Sequence, residues 1–535
     1  MVDLAILIGI FSYFVFGLGI LGKLERLEIL GILFLLLLVV WAIKKKAWLW
    51  VRDNFVEIRK DNVSLLIIGF LFLQVLVNLI GALGPELGFD ALWYHLTIPK
   101  IFLEQKRILF ISGNLFYYSA MPKLTEMLYL VSLVFSNSGT LAKLIHFSFG
   151  VLSAAAMLNL SKKYLSQRYS LLTTLLFYTT LVVGWQSTTA YIDLARTFFE
   201  ILALDCFLKW VEKKKETWNL IDSAVMMGLA ISTKLIAFAT LPVFLILIYL
   251  KSKKIHLLLI FFIFSIIVPL PWFIFSFVTT RNPFFPLFSG ILDSSHLVVF
   301  PNLFRAVKDF WQLLYFPQDP ISPVFLISLP ILIWKGVGWA VNNRRRIKLG
   351  RLGVLGMLAG YVLLSFGFWY FTPKTGGSRF VLPYLPALCL LTVWVISEQK
   401  KYFRKIMIVI CIFSAAVNIG YRALANKKYL PVLLRKQTKD QFLASELNFS
   451  FGDFYDTDQK LGKIIGKDDL VLVYGSHNLF YANFPFIHES CSRSGTYFSY
   501  VLTQDTELPK KLNKLNLIYQ NPKTKVNLYL FGNKI

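Results

Sequence analysis

The chain is short of charge, shorter still of acid, and nearly without cysteine, and each shortage removes a class of protein. Charged residues make up 16% of its 535 positions, where soluble domains average roughly 25%. With 56% hydrophobic residues and a mean hydropathy of +0.61, a water-soluble globule is excluded. The four cysteines, Cys206, Cys389, Cys411 and Cys491, lie scattered, three of them in apolar segments. They form neither a disulfide framework nor a CxxC metal spacing. Zinc signature, P-loop, dinucleotide-binding glycine fingerprint and GxSxG elbow are all missing. There is no internal repeat and no low-complexity tract. No small-residue cleavage site follows the first apolar run, which is expected to remain as a helix.

What the chain has instead is a series of apolar blocks, each long enough to cross a hydrocarbon core of roughly 30 Å. The formal net charge of +26 invites a nucleic-acid reading, but the distribution opposes it. Basic residues cluster in short loops between apolar blocks: Lys44–Lys46, Lys162–Lys163, Lys213–Lys215, Lys251 with Lys253 and Lys254, Arg344–Arg346, and Lys400–Lys401. Such clusters mark cytoplasmic loops and say nothing about a substrate. The expected partners include membrane lipids and no nucleic acid.

With the basic loops inside, runs 2–22 and 28–43 read as a hairpin followed by a cytoplasmic linker to residue 60. A helix over 63–82 then runs outward. Further spans are expected near 141–160, 169–187, 194–210, 219–233, 235–250, 256–277, 321–337, 352–371, 380–397 and 406–421. The total of about thirteen places the N-terminus in the cytoplasm and the C-terminus outside a cell (inner) membrane. Two long external loops result, 83–140 and 278–320, the first with the makings of amphipathic interfacial helices. After residue 421 the composition changes: "DDLVLVYG" and "KVNLYLFG" read as strands, "DQFLASEL" and "DQKLGKIIG" as helical turns. The expected architecture is an all-α polytopic membrane protein with a small C-terminal α/β domain. Its parts are an N-terminal hairpin and linker (1–60), a transmembrane catalytic region (61–421) and a soluble extracytoplasmic domain (422–535).

Ionisable groups near hydrocarbon are costly and usually face a cavity or mark a site. "GFDALWYHLTIPK", residues 88–100, begins just past the outward helix and carries Asp90 near its head. Capping the following segment is the ordinary explanation of such an acid. Asp193, in "TTAYIDLARTFF", opens an inward helix with Arg196 one turn on; a cap or a pair with Arg196 accounts for it equally well. Lys234, in "GLAISTKLIAF", has no acid nearby in sequence, and snorkelling is its plain explanation. Arg379, in "PKTGGSRFVLPYLPAL", stands beside two glycines and Lys374 at a helix start. That position favours anions, and a guanidinium there completes a phosphate clamp; contact with lipid headgroups is the alternative.

Together, two acids and two cations on one external face suit the transfer of a group from a lipid-linked phosphate to a hydroxyl. An acid orients or deprotonates the acceptor, and cations stabilise the departing phosphate. Acids beside a phosphate are equally ligands for a divalent metal, for which Asp90 and Asp193 are the candidates. His95, Lys100, Lys123 and Glu126 in the first loop are candidates for shaping the site, although His95 also reads as an interfacial histidine. His146 and Asp205 are expected to face neighbouring helices.

On these residues the chain resembles the GT-C superfamily of integral-membrane glycosyltransferases. Within it, the bacterial relatives of dolichyl-phosphate-mannose protein mannosyltransferases and the aminoarabinose transferases look most similar. The likeness runs through "GFDALWYHLTIPK", "MPKLTEMLY", "TTAYIDLA", "GLAISTK", "RNPFFP" and "SRFVLPYLPAL", over about residues 60–400. Order and spacing carry it, not any one motif. It implies a GT-C-like fold, a polyprenyl-phosphate-linked sugar donor and a hydroxyl acceptor on protein, lipid or envelope glycan, with inversion at the anomeric centre. By that resemblance Asp90 matches the first-loop acid that acts as base or orients the acceptor. Asp193 matches the second-loop acid, sometimes near a metal, and Lys234 and Arg379 match the residues that engage the donor phosphate. Phe380 stands where the family pattern often has tyrosine. The N-terminal hairpin and the C-terminal domain fall outside the shared module, with acceptor recognition a suggested role for the domain. The rival reading is a transporter or flippase of a lipid-linked or anionic substrate, whose hallmark would be paired repeats with helices broken at the midplane.

Overall fold

The computed structural model describes residues 1–33, 61–213, 216–290, 308–309, 324–325, 328–334, 353–371, 374–492, 495–512 and 514–531, without the side chains of 374–377. Among them, six helices are long and apolar enough to cross a membrane: Val2–Ile20, Asn62–Leu83, Thr140–Ser161, Leu235–Ser252, Ser378–Ser397 and Lys401–Leu433. A seventh span results if the bent pair Ile255–Ile267 and Leu270–Thr280 counts as one. Their outer faces expose large apolar side chains, among them Leu66, Phe72, Ile263, Val409 and Phe413. Water would not tolerate such surfaces, whereas lipid does. This is a multi-pass membrane protein.

The expected thirteen spans are not all seen as such. The run at 28–43 falls largely, and that at 321–337 partly, outside the described residues. Others are broken for chemical reasons. The 169–187 run is two helices, Gln167–Tyr178 and Leu181–Gln186. At the break the hydroxyls of Thr179 and Thr180 donate to the carbonyls of Leu175 and Phe177, competing with the helix ladder. The 256–277 run bends by 60° where Pro269 and Pro271 remove amide donors. The 235–250 run starts as a 3-10 turn, Leu235–Thr240, after Lys234 has ended helix Thr217–Thr233 in extended backbone. The 380–397 run stays 3-10 over Lys374–Tyr384 and turns α-helical only from Leu385.

Helix Asp193–Glu212 is the most enclosed, and only Lys209 and Glu212 escape burial. Its interior charges are neutralised locally. Arg196 Nε donates to Glu200 Oε1 at 2.6 Å, and Glu200 Oε2 accepts from the Thr240 hydroxyl at 3.0 Å. Arg196 thus partners Glu200 and leaves Asp193 to others.

The C-terminal region builds a five-stranded sheet in the order β2-β1-β3-β5-β4. The strands are β1 (Val471–Tyr474), β2 (Phe486–His488), β3 (Tyr500–Gln504), β4 (Asn516–Asn521) and β5 (Val526–Leu530). β1 runs parallel to β2 and β3, while β5 is antiparallel to β3 and β4. The expected strands "DDLVLVYG" and "KVNLYLFG" contain β1 and β5. Helix Lys439–Glu446, in "DQFLASEL", opens with a capping box between Thr438 and Gln441.

This sheet is not a separate globule. One apolar core joins Val15 and Phe16 of the first helix, Ile98 and Phe102 of the first loop, and Val471, Leu479 and Leu502 of the sheet region. The first helix is built in at its other end too, where Ala5 lies in the main helical core. Helix Thr97–Glu104, expected at the membrane interface, turns its apolar face into this protein core. Its buried Lys100 donates to the backbone carbonyls of Phe480, at 3.1 Å, and Ala482. Lys100 therefore fastens the first loop to the C-terminal domain instead of joining Asp90.

Lys100→Met keeps the length of the stem and strands two carbonyls, each a loss of about 1–3 kcal/mol. The expected outcome is earlier thermal unfolding in detergent and faster hydrogen exchange across 478–484. Unchanged exchange there would disprove the clamp.

Candidate active site

Helix Asn62–Leu83 stops at Gly84, and the next charged residue, Glu86, is fully buried. Its Oε1 accepts the amides of Leu87 at 2.8 Å and Gly88 at 2.6 Å, and its Oε2 accepts the amide of Ala190 at 2.5 Å. One carboxylate thereby ties the loop before Asp90 to the loop before Asp193, by the strong class of charge-assisted bonds. Lys143 Nζ donates to the carbonyls of Gly84 and Pro85 at 2.9 and 3.0 Å. The Tyr481 hydroxyl adds a bond to the Glu86 carbonyl at 2.9 Å.

Asp90 follows directly and leads into a single π-turn, Ala91–His95, which its side chain does not cap. Its amide donates to the Tyr191 hydroxyl at 3.2 Å, and its Oδ2 accepts from Arg379 Nη1 at 2.5 Å. Asp193 likewise caps nothing: its Oδ1 accepts from Lys234 Nζ at 2.6 Å. Lys234 is therefore paired rather than snorkelling, although sequence alone shows no acid near it. Arg379 Nε lies 3.8 Å from Asp193 Oδ2, too far for a hydrogen bond. Neither of those two atoms has a partner among the described residues. The guanidinium also lies 5.1 Å from the Tyr191 ring centre and 5.3 Å from that of Phe380, and Lys234 Nζ lies 5.0 Å from the Phe380 ring.

Lys234, Asp193, Arg379 and Asp90 thus form one row of alternating sign, drawn from four distant segments. Within it Asp193 is sealed at 1% exposure, while Lys234, Arg379 and Asp90 keep 14%, 13% and 15%. A buried charge stripped of its partner costs about 3–5 kcal/mol, so the four residues hold one another in place. What the row offers chemically is a partly exposed carboxylate, Asp90, in line with two cations.

The other candidates are placed differently. Burial pushes the His95 imidazole down and keeps it neutral, so its Nδ1–H donates to Glu126 Oε1 at 3.0 Å. Lys123 lies 3.6 Å from the same oxygen. This triad forms its own group next to the row, with the His95 ring 5.8 Å from that of Tyr191. The side chain of Lys374 lies outside the described residues. Asp205 is paired with Lys163 and Lys209.

A divalent metal does not fit these residues. No group of three or more His, Cys, Asp and Glu side chains comes together among the described residues, and Arg379 sits between the two acids that would have to share an ion.

Residues 123–273 match the family model described as Dolichyl-phosphate-mannose-protein mannosyltransferase. That stretch holds Asp193 and Lys234 but neither Asp90 nor Arg379. No curated protein sequence matches the chain. Among solved structures, ArnT from Cupriavidus metallidurans superposes in two states. Bound to undecaprenyl phosphate it gives a TM-score of 0.55 at 14% identity, and in the apo state 0.57 at 12%. Each match covers 86% of this chain and 97% of the other. The chain has the GT-C fold. The shared architecture runs beyond 60–400, so it takes in part of the N-terminal or C-terminal segments expected to lie outside it.

Within this GT-C fold, two residues that position the row, Glu86 and Tyr191, were missed from sequence, and a third, His146, was expected only to face neighbouring helices. Glu86 stood four residues before Asp90 and Tyr191 two before Asp193, close enough to have been weighed. His146 had no such signal. Its Nδ1–H donates to the Thr189 carbonyl at 2.8 Å, and its Nε2 accepts the Leu194 amide at 3.0 Å. Those two bonds fix one neutral tautomer and hold the backbone on both sides of Asp193.

Glu86→Gln preserves shape but turns an amide NH2 toward backbone donors. Hydrogen exchange is expected to rise together in peptides covering 86–92 and 188–194, with helix Thr140–Ser161 unchanged. A rise in only one of the two loops would show that Glu86 does not couple them.

Proposed function

We propose that this protein is a membrane glycosyltransferase that moves a sugar from a polyprenyl-phosphate-linked donor to a hydroxyl acceptor at the extracytoplasmic face. The observation that carries the proposal is the row Lys234–Asp193–Arg379–Asp90, which sets the partly exposed carboxylate of Asp90 in line with two cations. The ArnT structure with undecaprenyl phosphate supports a lipid-linked donor, since that protein shares the fold and binds that lipid. The basic loops support a cytoplasmic N-terminus, with the row and the sheet domain outside.

In the proposed reaction the donor phosphate takes hydrogen bonds from Arg379 and Lys234. It competes with Asp90 for the guanidinium and so releases the carboxylate. Asp90 then accepts the proton of the acceptor hydroxyl as its oxygen bonds to the anomeric carbon. The bond from that carbon to the phosphate oxygen breaks, and the electron pair leaves on polyprenyl phosphate against the two cations. Attack opposite the leaving group inverts the anomeric centre. Asp193 does not react in this scheme. It holds Lys234 and Arg379 at the spacing the phosphate needs.

Asp90→Asn removes the base and leaves the fold. In nanodiscs with a polyprenyl-phosphate sugar, transfer is expected to fall about 10²–10⁴-fold, with donor binding kept or tightened because Arg379 loses its competitor. Full transfer by this variant would sink the reading. Arg379→Lys retains the charge but cannot face both acids at once, and is expected to lose about 10²–10³-fold.

A further inference from the structure

A cavity of about 550 Å³ opens where the first loop meets the C-terminal domain, a size ordinary for small-molecule sites. The loop lines it with Phe89, the residue before Asp90, and with Trp93. The domain contributes Phe451, His477, His488 and Asp505. The three aromatic side chains form one continuous wall, with Phe89 5.6 Å from Trp93 and 5.2 Å from Phe451, ring centre to ring centre. Phe451 is 62% exposed, a large apolar face left uncovered by its own domain.

The polar side of the cavity is as specific. His488 is 5% exposed, and its Nδ1 accepts the amide of Ser490 at 3.2 Å. The proton therefore sits on Nε2, which has no hydrogen-bond partner among the described residues. Burial, with His477 beside it, lowers the ring to about 4, so at neutral pH it offers a fixed N–H and no charge. A buried donor left unpaired costs about 1–3 kcal/mol, which a ligand oxygen would relieve. Asp505 supplies acceptors, both its oxygens already within 3.0 Å of Lys525 Nζ but with lone pairs to spare.

The chemistry of the lining selects the ligand. No lysine or arginine lines the cavity, and a carboxylate does, so a phosphate or other anion is disfavoured. An acyl chain would leave the His488 donor unpaired. What suits ring faces on one wall and neutral donors and acceptors on the other is a molecule with apolar C–H faces and an edge of hydroxyls. We propose that this cavity binds a neutral saccharide, the acceptor of the transfer, and presents its hydroxyl to Asp90. The assignment of the bound sugar as acceptor rests on the transfer reading. The saccharide site itself does not.

The test is saturation-transfer NMR on the full chain in nanodiscs, with no donor present. The probes are glucose, galactose, mannose, rhamnose, N-acetylglucosamine and disaccharides of these. Saturation is expected on the C–H faces of at least one probe, with binding weakened about tenfold by Phe451→Ala. Phe451 is exposed, so its truncation opens no core void. His488→Asn keeps an acceptor for the Ser490 amide, removes the Nε2 donor and is expected to weaken binding similarly. No saturation with any probe, or binding that both variants leave unchanged, overturns the proposal. So does displacement of the sugar by a serine- and threonine-rich peptide that binds more tightly, since the cavity would then be a peptide site. Because no turnover is read, sugar binding in a chain inactive with every donor would retain this site and remove only the transfer reading.

Discussion

The guanidinium of Arg379 sits between two carboxylates that reach it from loops about a hundred residues apart, and much of the architecture follows from keeping that arrangement neutral. Asp193 is out of water and Lys234 is 14% exposed, and a charge stranded in such a place costs several kcal/mol. Four segments must therefore arrive together or not at all. Each arrives at a break in regular structure. Asp90 precedes a π-turn, Asp193 begins a helix after an irregular loop, Lys234 is extended between two helices, and Arg379 lies in a 3-10 stretch. Irregular backbone in a membrane protein is tolerated where it is buried in protein or lines a cavity, and such breaks can aim side chains from different helices at one point.

Those breaks are also where reading from sequence stopped. Long apolar runs announce themselves, because a bilayer demands about twenty apolar residues and the chain supplies them repeatedly. Where a run breaks is decided by less visible things. The threonine hydroxyls at 179 and 180 compete with the helix ladder, and prolines at 269 and 271 remove donors. Hydropathy counts none of these. The spacing of Asp90, Asp193, Lys234 and Arg379 was legible because an ionisable residue is rare in such surroundings. Their pairing was not. Arg196 stood one turn from Asp193 and invited a pair, yet lies closer to a better partner in Glu200. Lys100 looked like a member of the site because it shares a loop with Asp90, but its ammonium is consumed by two carbonyls nearly four hundred residues away. A helix reports its own neighbours at fixed intervals; a loop reports nothing about which distant carbonyl will meet it.

Glu86 and the C-terminal domain show how such a loop is held. A segment that leaves a helix at Gly84 and must place Asp90 within 2.5 Å of Arg379 has no regular hydrogen-bond ladder to define it. Its amides bond instead to a buried carboxylate, and its carbonyls to Lys143 and Tyr481. Tyr481 and the carbonyls that hold Lys100 belong to the segment before β2. The domain is therefore part of the scaffold of the first loop, and whatever binds between them touches the residue next to Asp90.

A row of ions that served only to hold helices together would gain nothing from an open end. Replacing buried pairs by apolar side chains of similar volume is often neutral or stabilising, so stability alone is a weak reason for keeping four charges. The difference between the two acids favours another reason. Asp193 is 1% exposed and Asp90 15%, and the unpaired atoms, Asp193 Oδ2 and Arg379 Nε, face each other across a gap wider than a hydrogen bond. A guanidinium with one bond made and one unmade can be drawn toward an arriving anion without leaving a carboxylate stranded, because Lys234 still neutralises Asp193. The accessible Asp90 is then the group that gives up its partner, which is what a base must do before it can accept a proton.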